Sequence, residues 1–293
     1  MSHRINILTI DLEDWFHILE NDATKDDKHW VQFESRIVQV TEMLLSIFEE
    51  YEQHATFFVL GWIAERYPQL VERIAKAGHE IACHSNRHRL VYEMTPQEFL
   101  ADTEAAATNI EAATGQRPRA YRAPGFSITR DTPWAFEILA DLGFDTDCSV
   151  FPASRAHGGL VGYGPGLPGI ISTNSGTELR ELPMSSHNFF GCRLVYGGGG
   201  YFRLTPGWLG RLLFSAAEYN MTYFHPRDFD TGQPIVPGLS PVRRFKSYVG
   251  INSTRSKLEN LISSQRMMTL EEAVGQIDWG AARRIEIKDI CSG

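Results

Sequence analysis

Glu80-Ile81-Ala82-Cys83-His84-Ser85-Asn86-Arg87-His88 joins a short run with strand character to two histidines spaced four apart. The run Glu80 to Cys83 reads as a strand, and the histidine pair follows it directly. Two imidazoles at this spacing face one point if the segment turns helically. One carboxylate from elsewhere completes a facial His-His-carboxylate set. Such a set holds Zn²⁺ or a similar ion and leaves positions open for water and substrate. Asp11-Leu12-Glu13-Asp14, at the end of the apolar run Ile5 to Ile10, offers that carboxylate and a second one beside it as a base. These are the parts of a metal-assisted hydrolase.

Working outward, the periodicity alternates. Ile5 to Ile10, Ala55 to Leu60, Glu80 to Cys83, Ala120 to Arg122, Asp145 to Val150, Glu178 to Leu182 and Met221 to Phe224 read as strands. Between them, Ile37 to Phe48 and Leu70 to Ala75 follow helical spacing, the second stopped by Gly78 as a C′ glycine stops one. Thr95-Pro96-Gln97-Glu98 combines an N-cap, Pro at N1 and a capping box, and opens a helix to about Gly115. Thr132-Pro133 and Thr205-Pro206 start further helices. A helix from Arg255 to Ile262 and one opened by the Thr269…Glu272 capping box complete the pattern.

Strands alternating with helices about seven times predict a parallel α/β sheet, open or closed into a barrel. No repeat or low-complexity linker interrupts it, so the sequence predicts one domain over 1–280. Gly158 to Gly169 and Pro226 to Pro241 read as long loops, and 281–293 as an appended tail. Each candidate residue (Asp11 to Asp14, His84, His88, Arg122, Asp147, His225) follows a predicted strand. In parallel α/β folds the carboxyl ends of strands form the active face.

The 293 residues, 43% hydrophobic and 22% charged, suffice for a sizeable core. A formal charge of -8 gives no general attraction for nucleic acid or anionic membrane, although Arg243, Arg244 and Lys246 form a local basic cluster. Cys83, Cys148, Cys192 and Cys291 are too scattered for a disulfide framework and read as buried small hydrophobes. Met1-Ser2-His3-Arg4 runs straight into a strand too short for a signal h-region, and no stretch approaches a membrane span. The expectation is a cytoplasmic enzyme.

Five motifs in order then resemble the polysaccharide deacetylases of the NodB-homology type, carbohydrate esterase family four, from about Leu8 to Met268. They are Thr9-Ile10-Asp11-Leu12-Glu13-Asp14, His84-Ser85-Asn86-Arg87-His88, Arg122-Ala123-Pro124-Gly125, Asp147 in Gly143 to Ser149, and Tyr223-Phe224-His225-Pro226. Gly197 to Arg203 and Tyr248-Val249-Gly250 look closer to one branch, which accompanies bacterial exopolysaccharide and surface-glycan gene clusters. The resemblance implies a distorted (β/α)₇ barrel and removal of acetyl groups from an N-acetylated amino sugar in a surface glycan or its precursor.

It also implies roles. His84 and His88 with one carboxylate hold the metal, Zn²⁺ or else Co²⁺, Ni²⁺ or Fe²⁺. Asp11 is the base, and Arg122 pairs with it. A backbone N–H near Phe126 stabilises the oxyanion. His225 is the acid and Asp147 orients it. The family pattern has two adjacent aspartates, which this chain lacks. Strict strand alternation favours Glu13 as the metal carboxylate. A turn at Leu12 favours Asp14, which is the expected ligand, with Glu13 as the alternative.

Trp15, Pro124, Gly125, Phe126 and Tyr201 are the candidate sugar contacts. The glycines from Gly197 read equally as an anion nest or a hairpin tip. Two other functions fit less of the pattern: a metal-independent cyclic amidohydrolase of allantoinase type, and a glycan-binding protein with a dead site.

Overall fold

The Thr95 capping box forms as the sequence predicts. Its hydroxyl accepts from the Glu98 N–H, Glu98 returns the bond to the Thr95 N–H, and Pro96–Thr114 is one helix ending at Gly115 with φ 74°. The computed structural model describes residues 4–19, 21–153, 157–189 and 192–290, with the backbone alone at 187–189 and 192–194. The chain falls into two compact units where the sequence predicted one domain: Met1–Phe57, Lys76–Glu80 and Tyr196–Ala273, and Phe58–Ala75, Ile81–Val195 and Val274–Gly293. Each unit is assembled from three separate stretches of chain, so no linker composition marks the division.

The first unit is built on parallel pairing of Ile5–Ile7 with Tyr219–Met221. The ladder continues: Phe224 N–H donates to the Thr9 carbonyl (3.1 Å) and Asp11 N–H to the Phe224 carbonyl (2.7 Å). Thr9–Leu12 is buried at every residue, as a strand covered on both faces must be. The helix Ile37–Glu50 packs Ile37, Leu44, Ile47 and Phe48 inward on the predicted spacing. Its N-cap residue, Arg36, supplies no capping side chain; that work falls to Asp14.

His79 lies buried in this unit, its Nδ1 accepting from the Ala55 N–H (3.2 Å) and its ring against Phe48 and Phe57. Burial, with His54 nearby, lowers its pKa from 6.5 to about 4. The unfolded chain therefore takes up this proton first as pH falls. The stability His79 contributes is complete above about 6.5 and is lost progressively towards pH 4, by ~3 kcal/mol. Denaturant unfolding at pH 7 and 4 is expected to show this loss, and His79→Gln to reduce it.

In the second unit the strands lie in the order Arg283–Glu286, Gly169–Ser172, Glu178–Glu181, Thr146–Asp147, Ala120–Tyr121 and Glu80–Cys83. Pairing is parallel except between Gly169–Ser172 and Glu178–Glu181, which run antiparallel through a tight turn. Two expectations are corrected here. The loop predicted to Gly169 gives way at that residue to a strand. Residues 281–290 are no appended tail, because Arg283–Glu286 pairs with Gly169–Ser172 and Ile287 and Ile290 are buried. Residues 291–293, and Cys291 with them, lie outside the described residues. Periodicity missed Arg283–Glu286 because only Ile285 of the four is buried.

The helix Gly61–Arg66 meets the helix Pro96–Thr114 at Gly61. A Cβ there would lie 2.7 Å from Ala106 Cα and 2.4 Å from Asn86 Oδ1, so only glycine allows this approach. Phe99, Ala106 and Ile110 on the long helix and Ile63, Val71 and Ile74 on the shorter helices fill the core. Cys83 and Cys148 are free and buried, as expected, and burial pushes the Cys83 thiol pKa up. The Cys192 side chain lies outside the described residues. No helix among the described residues is long and apolar enough to cross a membrane.

Candidate active site

In the first unit, Asp11, Glu13 and His225 converge. Each offers a ligand atom within 4.8 Å of the others. His225 Nε2 stands 4.0 Å from Asp11 Oδ2 and 3.9 Å from Glu13 Oε1. Local folding explains this placement. The strand carrying Asp11 pairs with the segment ending at Phe224, and the Glu13 N–H turns back to the Asp11 carbonyl (2.9 Å). Asp11 and Glu13 thereby share a face.

Asp14 points elsewhere. Its carboxylate accepts from the N–H groups of Trp15, Arg36 and Ile37 and from the Ser35 hydroxyl. It caps the helix Ile37–Glu50 from outside that helix. Burial raises its pKa against these bonds. The choice of Asp14 as metal carboxylate does not fit this geometry, because helix capping occupies its oxygens.

His225 is oriented by Asp228. Asp228 Oδ2 accepts from both His225 Nδ1 (3.1 Å) and the His225 N–H (2.9 Å), and the Asp228 N–H returns to the His225 carbonyl (2.9 Å). Asp228 in turn accepts from the buried Arg203 guanidinium, whose other nitrogen donates to the Lys246 carbonyl (2.7 Å). Burial alone would lower the His225 pKa; Glu13, Asp228 and Asp11 overcome it and raise the value to about 9. Burial would raise that of Asp228; Arg203 and His225 overcome it and bring the value to about 2. Asp147, expected to orient His225, is replaced in that role by Asp228. The sequence carried the signal, since His225-Pro226-Arg227-Asp228 has capping-box spacing.

The glycines from Gly197 form neither an anion nest nor a hairpin tip. Gly198 bridges Tyr223 in parallel and Gly199 begins a helix. A Cβ on Gly198 would overlap the Tyr223 ring, 1.8 Å from Cε1. Gly198→Ala is expected to displace Tyr223, two residues from His225, and to lower melting temperature and activity together.

Of the candidate sugar contacts in this unit, Tyr201 is exposed, whereas Trp15 is buried. The Trp15 indole N–H donates to the Glu34 carbonyl (2.9 Å), and its ring packs edge-on against Phe16 and Phe33. Trp15 is a core residue. Trp15→Ala is expected to cost ~3–5 kcal/mol of stability, measured by denaturant unfolding.

In the second unit, His84 leaves its strand with its N–H on the Val59 carbonyl (2.9 Å) and its Nδ1 on the Arg122 carbonyl (2.7 Å). That bond fixes the Nδ1–H tautomer and turns Nε2 into the acceptor. The His84 and His88 rings lie 5.4 Å apart between centroids. The intervening segment is not helical, contrary to the helical turn entertained for it. Ser85 and His88 adopt φ of 66° and 53°, at a cost of ~1–3 kcal/mol each.

Surrounding bonds impose that shape. Asp102, on the long helix, accepts from the N–H groups of Asn86 (2.8 Å) and Arg87 (3.2 Å), and Ser85 Oγ accepts from the His88 N–H (3.1 Å). Sequence reading missed Asp102, which lies on a helix with nothing in its neighbours to mark it. Asp102→Ala is expected to leave the Asn86 and Arg87 N–H groups without their acceptor and to cost ~1–3 kcal/mol of stability, measured by denaturant unfolding.

Arg122 is fully buried, its guanidinium 4.0 Å over the Phe58 ring. Asp147 accepts from the Ser149 N–H (2.8 Å) and hydroxyl (2.7 Å), and Ser149 Oγ accepts from the Ala123 N–H (2.8 Å). Asp147 also shares a hydrogen bond with Glu181. Desolvation raises the pKa of both carboxyls, that of Glu181 the further. Asp147 thus braces the segment after Arg122.

That segment is a tight turn with Gly125 and Phe126 at φ 62° and 55°. Pro124 and Phe126 are buried. The Phe126 N–H donates to the Ala123 carbonyl (3.0 Å) and the Ser127 N–H to the Pro124 carbonyl (3.2 Å).

Comparison with known proteins divides the sequence differently, into two consecutive halves. Residues 21–146 match the family described as polysaccharide deacetylase, and residues 148–275 match a domain of unknown function, DUF3473. Over 84 residues the chain is 36% identical to the peptidoglycan-N-acetylmuramic acid deacetylase PdaC of Bacillus subtilis, covering 29% of this chain and 18% of that protein. Over 101 residues it is 33% identical to a chitooligosaccharide deacetylase of Bradyrhizobium, covering 34% and 43%. The chain spans less than half the length of these curated relatives.

Among solved structures, a putative polysaccharide deacetylase from Mycobacterium smegmatis aligns with TM-score 0.65 at 19% identity, over 97% of this chain and 93% of that one. A CE4 family pseudoenzyme from Bacillus anthracis aligns with TM-score 0.51 at 13% identity, over 97% and 70%. The α/β fold is the one these proteins share.

Proposed function

We propose that this member of the polysaccharide deacetylase family is a metal-dependent N-deacetylase acting on an N-acetylated amino sugar of a bacterial surface glycan or its precursor. The observation that carries this reading is the His84 tautomer. An imidazole that donates from Nδ1 to a main-chain carbonyl presents Nε2 as a lone pair, the state a metal ligand requires. His84, His88 and Glu13 are the proposed ligands, since Asp14 is occupied by helix capping. Two imidazoles and a carboxylate suit Zn²⁺, Co²⁺, Ni²⁺ or Fe²⁺. When bound, the ion supplies Lewis-acid polarisation of the amide carbonyl and lowers the pKa of water.

The side chains supply the proton transfers. Asp11 takes the proton from the attacking water. His225 gives one to the sugar nitrogen as the C–N bond breaks. Asp228 holds Nδ1–H, so the transferable proton sits on Nε2. Acetate and a free amine leave. Arg122 acts through its carbonyl, which sets the His84 tautomer.

The test is metal content of the purified protein together with acetate release from a panel of N-acetylated sugars. Expected are about one metal per chain, acetate release lost on chelation, and Asp11→Asn that keeps metal but releases no acetate. A protein that takes up no metal after incubation with Zn²⁺ or Co²⁺ would overturn the reading and favour the metal-independent amidohydrolase.

A further inference from the structure

The helix Pro241–Tyr248 has no buried residue. Polar contacts hold it to the unit: Arg243 donates to the Leu19 carbonyl (2.6 Å) and the Tyr248 hydroxyl accepts from the Val236 N–H (2.8 Å). Val242 and Phe245 on this helix are 63% and 60% exposed. Its end is tied to the helix Gly199–Leu204 by Arg203, which donates to the Lys246 carbonyl, and Lys257 donates to the Arg203 carbonyl (2.5 Å). Beyond Arg203 the same unit exposes Leu204, Trp208 and Leu212, each by more than half. A soluble surface carries such side chains singly; a group of them marks a contact site.

Charge accompanies the apolar residues. From Tyr196 to Ala217 and from Thr231 to Leu258 there is no aspartate or glutamate, and the two stretches hold seven lysines and arginines, in a chain whose net charge is -8. Arg211, Arg244 and Lys246 are exposed among the apolar side chains. We propose that this face, built from Leu204, Trp208, Leu212, Val242 and Phe245 with Arg211, Arg244 and Lys246, docks the protein on the surface of an anionic lipid bilayer. Short amphipathic helices with aliphatic and tryptophan side chains beside basic ones lie in the interface between headgroups and acyl chains. An acidic polysaccharide satisfies the basic residues but offers no phase for Leu204, Leu212 and Val242. The bilayer satisfies both.

The experiment is flotation of the full chain with vesicles of phosphatidylcholine alone or mixed with phosphatidylglycerol, at low and high salt. Expected is flotation with the phosphatidylglycerol vesicles, weakened by salt and reduced about fivefold by each of Arg244→Gln and Lys246→Gln. Leu212→Ser with Phe245→Ser reduces it about tenfold or more, while melting temperature and near-ultraviolet circular dichroism match the parent. Addition of these vesicles shifts tryptophan emission to the blue, and Trp208→Phe removes the shift. Absence of flotation, or flotation unchanged in these variants, overturns the proposal. So does self-association or alginate binding that these same variants abolish without any vesicle binding.

Discussion

His84→Ala is expected to lose bound metal and to lower kcat/KM for acetate release by about 10³-fold or more, since Lewis-acid stabilisation supplies several kcal/mol. His88→Ala is expected to do the same, and Asp14→Asn is not. Asp14 serves the helix Ile37–Glu50, so its loss belongs in the unfolding curve: ~1 kcal/mol, the usual worth of a cap, with metal content unchanged. Glu13→Gln is the discriminating partner, expected to release the metal without loosening the fold. Metal analysis with unfolding curves for the four variants checks this. An Asp14→Asn protein that is stable and metal-free would reverse the assignment of the carboxylate.

Asp228→Asn is expected to lower kcat by about 10²–10⁴-fold, the contribution of a positioned general acid, with little change in KM. The amide cannot hold Nδ1–H as the carboxylate does, and it leaves the buried Arg203 charge without its anion. A pH profile separates this from mere loss of stability. His225 acts when protonated, and its pKa is raised to about 9 in part by Asp228. Activity of the parent is therefore maintained to high pH and falls as His225 loses its proton. Removing one of the raising charges lowers that pKa, so the alkaline limb of the variant moves to lower pH. Asp147→Asn is expected to leave the limb in place, because Asp147 bonds Ser149 and Glu181. A shift of the limb in Asp147→Asn, and none in Asp228→Asn, would restore the original assignment of the orienting acid.

Local chemistry explains which parts of the fold and site were legible. The capping box at Thr95, the apolar runs ending at Asp11, Cys83 and Phe224, and the helical stripe from Ile37 to Phe48 depend on residues within a few positions of one another. Their readings carried the α/β alternation and placed Asp11, His84, His88 and His225 at the ends of strands. Asp228 was equally local, three residues from His225 with Pro226 between, in a capping-box spacing that by itself reads as a helix start.

The rest was decided by contacts distant in sequence. Asp14 caps a helix that begins 23 residues later, and Asp102 reaches back 16 residues to shape the histidine loop. Asp147 is drawn to Glu181 and Ser149 inside a fully buried pair. Arg283–Glu286 becomes a strand because Gly169–Ser172 offers it a ladder. Composition and period report what a residue's neighbours require; which of several acids accepts a given N–H depends on geometry set by packing. The sequence by itself determined the kinds of group available, two imidazoles, a cluster of acids and a histidine after a strand. Only the tertiary structure decided which acid is occupied with capping and which one faces His225. A carboxylate's role follows from the donors folding brings to it, and those donors lie far away in the chain.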